Sequence, residues 1–146
     1  MRNIIILIFV VFLSVNLFGQ NVADTVISNN PKNLKVRVYY FHITNRCHTC
    51  TSIEVNVRKT LFENFSNQLE LGIIDLYIVN CEKPENLELV KKFEAYGSTL
   101  VLSQYNLGKE GKSEDISNWA FQKVNKPDDF ISGLKQKINA ILNANN

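Results

Sequence analysis

The sequence predicts an α/β fold, with a central mixed sheet of about four strands and helices on both faces. Three observations carry that prediction. Segments rich in β-branched and aromatic residues alternate with segments whose apolar residues recur at helical spacing. A strand, a helix and a second strand fit within about 45 residues, enough for a right-handed βαβ unit with parallel strands. Nearer the end, two strand candidates are separated by a hairpin-type turn, which mixes antiparallel pairing into the sheet.

Each element has its own signal. The first strand is "LKVRVYYFHI", Leu34 to Ile43, with its charges confined to the first half, so the second half should be buried on both faces. Ile53, Val57, Leu61, Phe65 and Leu69 then recur every four residues with Glu54, Arg58, Lys59 and Asn64 between them, an amphipathic helix closed near Gly72. "IIDLYIVN", Ile73 to Asn80, is a second apolar strand. Pro84 suits a first helical position, and Leu87, Val90 and Phe93 mark the apolar face of a helix ending at Gly97. "TLVLSQY", Thr99 to Tyr105, is a third strand, and "NLGKEG" is the hairpin turn. Lys112 to Lys123 holds a fourth strand, a short helix at "SNWAF", or both. Pro127, Asp128 and Asp129 open a closing helix lined by Phe130, Leu134, Ile138 and Ile141.

The N-terminus reads differently. "MRNIIILIFVVFLSVNLFGQ" has a basic start at Arg2, an apolar run from Ile4 to Val15 and small Gly19 before Gln20, the build of a secretory signal peptide. The expected organisation is a signal peptide over 1-19, a polar linker over 20-33 and one domain over 34-146. Cleavage after Gly19 gives a periplasmic or secreted protein with no membrane span; retention of the leader would anchor the same domain to the outer face. The chain is 45% hydrophobic and 21% charged with a net charge of +2, a composition that asks for no nucleic acid and no strongly charged partner. Nothing in it resembles a coiled coil, and a monomer is expected.

The chemistry lies in "FHITNRCHTCTSIEV", where a strand runs into a C-x-x-C pair and then into a helix. Cys47 at a helix N-terminus would meet the positive end of the helix dipole and free backbone N–H groups, which favour thiolate. Cys50 faces the same side one turn deeper. Arg46 and, when protonated, His48 add positive charge beside Cys47, so the couple should be more oxidising than one with a neutral dipeptide and no flanking arginine. Two other readings fit the same residues: an inert cross-link on a non-catalytic interaction domain, or a soft-metal binding protein or metallochaperone holding copper(I) or zinc through Cys47, Cys50 and Cys81 with His48 close by. Three cysteines leave at least one unpaired within the chain. Cys81 reads as a small buried hydrophobe at the end of the second strand, His42 as a packed histidine, and Trp119 and Phe121 as cover for the core.

"VYYFHITNRCHTC" resembles the strand and active-site turn of the thioredoxin superfamily, and "KFEAYGSTLVL" its later helix end and strand. The resemblance covers most of residues 34 to 142 and implies a thioredoxin-like fold and thiol-disulfide exchange. It assigns Cys47 as the exposed nucleophile, Cys50 as the resolving thiol, and Ser98 and Thr99 as the loop that presents backbone groups to a substrate. Implied partners are protein dithiol or disulfide substrates and a second dithiol protein that recharges the site; no bound organic cofactor is implied, because the dithiol is the redox group. The chain departs from the family at three places. Ser98 stands where the family usually has a cis-proline, Arg46 where tryptophan commonly precedes the first cysteine, and Phe41 and Ile78 where many thioredoxins hold a buried acid and its lysine partner.

Overall fold

A computed structural model describes residues 30–144; the expected leader, and all of the expected linker up to residue 29, lie outside them. Four strands form one mixed sheet in the order β2-β1-β3-β4: β1 (Val36–His42), β2 (Ile74–Asn80), β3 (Thr99–Asn106) and β4 (Lys109–Asp115). β1 runs parallel to β2 and antiparallel to β3, and β3 is antiparallel to β4. The helices are α1 (His48–Asn64), α2 (Ser66–Glu70), α3 (Leu87–Phe93), α4 (Ser117–Lys123) and α5 (Pro127–Ala144). This is the α/β architecture expected from the sequence. Among the described residues no helix is long and apolar enough to cross a membrane.

Successive side chains of a strand point to opposite faces, and β1 uses both. Val36, Val38 and Tyr40 enter the larger core with Ile53, Val57 and Leu61 of α1, Ala120 of α4, and Phe130, Leu134 and Ile138 of α5. Tyr39 and Phe41 enter a smaller one with Val79, Val101 and Val90 of α3. Every residue from Val38 to His42 is buried, as the sequence predicts for the second half of this strand. α3 is short, and its Phe93 packs 4.8 Å from Tyr39 and 5.7 Å from Phe41, centroid to centroid.

Towards the start of β1 the same face carries a charge. Arg37 donates from Nε and Nη2 to the two carboxylate oxygens of its register partner Asp75, at 2.9 and 2.8 Å. Its guanidinium carbon lies 4.1 Å from the Tyr77 ring centroid and 4.9 Å from that of Tyr105. The Asp75 side chain is fully buried, and the fork gives both of its oxygens a charge-assisted partner away from water.

Local chemistry moved several boundaries. The single helix expected up to Gly72 is broken at Phe65, whose backbone leaves the helical region at φ −135°, ψ 23°. The Asn64 amide donates to the Thr60 carbonyl at 3.1 Å, and Asn64, Ser66 and Asn67 are weak helix formers that compete for backbone groups. The expected end at Gly72 stands: it adopts φ 67°, and the Gly72 and Ile73 N–H groups close a Schellman motif on Leu69 and Gln68. The next helix stops at Phe93, not at Gly97, because Glu94 itself turns left-handed at φ 50° and lets Ala95 bury against the sheet. Pro84–Asn86 form a 3-10 turn ahead of it. The ambiguous region resolves into both a strand, β4, and a short helix, α4. Trp119 packs against the core, 5.0 Å from the Phe130 ring, but Phe121 faces solvent, contrary to its expected role.

Replacing Arg37 with alanine takes both guanidinium bonds from a buried carboxylate and should cost about 3–5 kcal/mol. Urea unfolding of the variant checks this; an unshifted midpoint would show that the pair contributes nothing.

Candidate functional site

β1 ends at His42 and the chain crosses the rim of the sheet before α1 begins. That crossing is tied down. The Thr44 N–H donates to Glu82 Oε2 at 2.8 Å, and the Asn80 amide donates to Thr44 Oγ1 at 3.1 Å, so the end of β2 holds the segment leading to Cys47. His42 bonds through Nδ1 to the Ile43 carbonyl at 2.9 Å and is buried, the packed histidine read from the sequence.

Cys47 is the N-cap of α1, with extended backbone at φ −74°, ψ 160°, and its sulfur accepts the Cys50 N–H at 3.1 Å. A sulfur in this position meets an unsatisfied helix donor and the positive end of the helix dipole. Cys47 and Cys50 are joined as a disulfide, their Cα atoms 5.2 Å apart. Cys47 is exposed and Cys50 half-buried, so an incoming thiol reaches the first sulfur more easily than the second.

The other expected site residues fall around this pair in different ways. His48 opens α1 and is exposed. Arg46 turns its guanidinium to the Glu54 carboxylate, which also accepts from Arg58 Nε at 2.7 Å. Burial pushes the Glu54 carboxyl up, but hydrogen bonds and charge from Arg58 and Arg46 outweigh it and hold the group below the usual carboxylate range. The positive charge expected beside Cys47 is therefore shared with a carboxylate. Ser98 lies in the turn before β3, half-buried, 3.4 Å from the Tyr40 hydroxyl, and Thr99 begins β3 opposite Phe41. The peptide bonds of the described residues are all trans, so Ser98 does not reproduce the cis turn usual in the resembling family.

Cys81 sits at the end of β2, where its N–H continues the ladder to the His42 carbonyl at 2.8 Å. It is half-buried and not the sealed hydrophobe expected, and its thiol donates to the Ala95 carbonyl at 2.8 Å. Burial pushes that thiol up, which keeps it protonated at neutral pH. Among the described residues no group of three or more His, Cys, Asp or Glu side chains is gathered closely enough to hold a metal ion.

Two residues here escaped the sequence reading. Tyr40 lies in an aromatic run that reads as core packing, yet its hydroxyl donates to the Cys50 carbonyl at 2.6 Å. Alternation along β1 could have found it, since Tyr40 shares a face with Val36 and Val38, the face that meets α1. Glu54 reads as one of the polar positions between the apolar residues of the amphipathic helix, although it follows Cys50 by four residues, one turn along the same helix face. A scan against known protein families and a search of curated proteins match nothing to this chain.

Glu54→Gln should leave the Arg46 charge uncompensated and make the Cys47–Cys50 couple more oxidising, by about three- to tenfold in its exchange constant with glutathione, or ~15–30 mV. Equilibration of both proteins in glutathione buffers checks the direction. Stability gives a second readout. A carboxylate whose folded pKa is depressed contributes stability above its unfolded pKa of about 4.3, and that contribution is lost as pH falls through the folded value. The wild type should thus exceed Glu54→Gln in urea midpoint at pH 7, with the gap closing on acidification.

Proposed function

We propose that this chain is an exported thiol-disulfide oxidoreductase that exchanges disulfides with protein thiols through Cys47 and Cys50. The observation that carries the reading is the Cys47 sulfur, exposed and accepting a helix N-terminal N–H, with its partner sulfur one turn deeper on the same helix. An inert staple gains little at such a place, because the loop it closes is too short to restrain the unfolded chain much. The signal-like N-terminus supports export to an oxidising compartment, where such a pair can cycle.

In the reducing direction the Cys47 thiolate attacks a client disulfide, forming a mixed disulfide and expelling one client thiolate. The Cys50 thiol loses its proton to solvent and its sulfur attacks Cys47 Sγ. The Cys47–client bond breaks, the second client thiolate leaves, and the intramolecular disulfide forms. The client gains two electrons and the pair loses two; a partner dithiol protein returns them. In the oxidising direction the same steps run backwards. Arg46 and His48 tune the potential, while Ser98 and Thr99 present backbone groups to the client.

Cys50→Ala should accumulate mixed disulfides on Cys47, seen as thiol-sensitive adducts by mass spectrometry, and Cys47→Ser should abolish exchange. Absence of both adducts and exchange activity would dismiss the proposal.

A further inference from the structure

Tyr40 is wholly buried in β1, yet its phenol reaches the rim. Its hydroxyl lies 2.6 Å from the Cys50 carbonyl oxygen and 3.4 Å from Ser98 Oγ. A phenol has one proton to give, and the shorter contact takes it; its oxygen is then left to accept from the Ser98 hydroxyl. The chain Ser98 to Tyr40 to Cys50 thus links the turn before β3 to the backbone of the second cysteine. That carbonyl belongs to the residue whose sulfur must close the disulfide. A group that fixes it restricts where the sulfur can go. Rigid anchorage counts heavily here, because β1 is buried on both faces and cannot shift without disturbing two cores.

We propose that Tyr40 is a positioning residue for disulfide exchange, holding Cys50 in register for attack on the mixed disulfide at Cys47 while tying the Ser98 turn to the same hydroxyl. The inference rests on the thiol-disulfide reading of the cysteine pair. It predicts a split between two steps. Attack by Cys47 on an external disulfide does not involve Cys50, whereas the second, intramolecular step depends on the separation and angle of the two sulfurs. Misplacement of a reacting group by a fraction of an ångström is enough to slow such a step severalfold.

The test uses the reduced protein with Cys81→Ala, so that two thiols report, and dithiobis(nitrobenzoate) as the disulfide. Attack by Cys47 releases one coloured thiolate in a phase that depends on reagent concentration; closure by Cys50 releases a second in a phase that does not. Tyr40→Phe removes only the hydroxyl. It should leave the first phase within about twofold and slow the second about tenfold. An unchanged second phase, or equal slowing of both phases, overturns the proposal, since general loosening would not discriminate between them. If Tyr40→Phe fails to fold, the Ser98→Ala variant, altered outside the cores, takes its place. It should lower the ratio of the second-phase rate to the first-phase rate by about two- to threefold, and an unchanged ratio overturns the proposal. A parent protein that gives no second release, like its Cys50→Ala variant, would remove the exchange reading itself, whereas full release insensitive to Tyr40→Phe removes this inference alone.

Discussion

The structure depends on β1 burying both of its faces. It is an inner strand, parallel to β2 on one side and antiparallel to β3 on the other, with no exposed residue from Val38 to His42. Removing a Tyr or Phe side chain from water contributes about 2–3 kcal/mol, and β1 buries Tyr39, Tyr40 and Phe41 in succession. Such a strand has little freedom of register, because a slip of one residue would exchange its two apolar sets. Whatever is attached to its end inherits that fixity, and what is attached is the segment carrying Cys47.

Burial on both faces also constrains the polar groups that β1 takes inside. A buried donor or charge without a partner is costly, so each must be matched where it lies. Arg37, at the beginning of the strand, is answered by Asp75 and by the faces of Tyr77 and Tyr105. The Tyr40 hydroxyl, nearer the far end, is answered by Cys50 and Ser98. The first match locks β1 to β2; the second ties β1 to the start of α1 at Cys50. The same requirement therefore yields a purely structural contact at one end and a contact within the candidate site at the other.

This explains which features were legible in the sequence. The C-x-x-C pair, the place of Cys47 at a helix N-terminus and the strand-helix-strand order are set by residues close together in the chain, and local pattern suffices for them. The break at Phe65 was missed because the four-residue apolar spacing continues through Leu69 and masks the weak helix formers Asn64, Ser66 and Asn67. The helix end at Phe93 was missed because a glutamate, Glu94, adopts the left-handed conformation that glycine usually takes. Arg46 precedes Cys47 in the chain, but its pairing with Glu54 depends on the side chain turning back over α1, which spacing does not report. Tyr40 was hidden for a related reason: a hydroxyl inside an aromatic run looks like packing until the opposing backbone carbonyl is known.

The acids and bases around the pair bear on how protons move. Phe41 and Ile78, buried near this end of the sheet, are apolar and have no proton to exchange. Glu54 is one turn beyond Cys50, but two guanidinium groups hold it ionised, and a carboxylate so stabilised is a poor acceptor for a thiol proton. Burial raises the Tyr40 phenol above its ordinary range, so it serves as a fixed donor. Acting as proposed, Cys50 would give its proton to solvent at the rim, where the residue is half-exposed, and not to Glu54 or Tyr40. The protein's contribution to exchange would then lie in geometry and in the potential of the pair, through the α1 N-terminus, the Arg46–Glu54 balance and the Tyr40 anchor, and not in a dedicated proton relay.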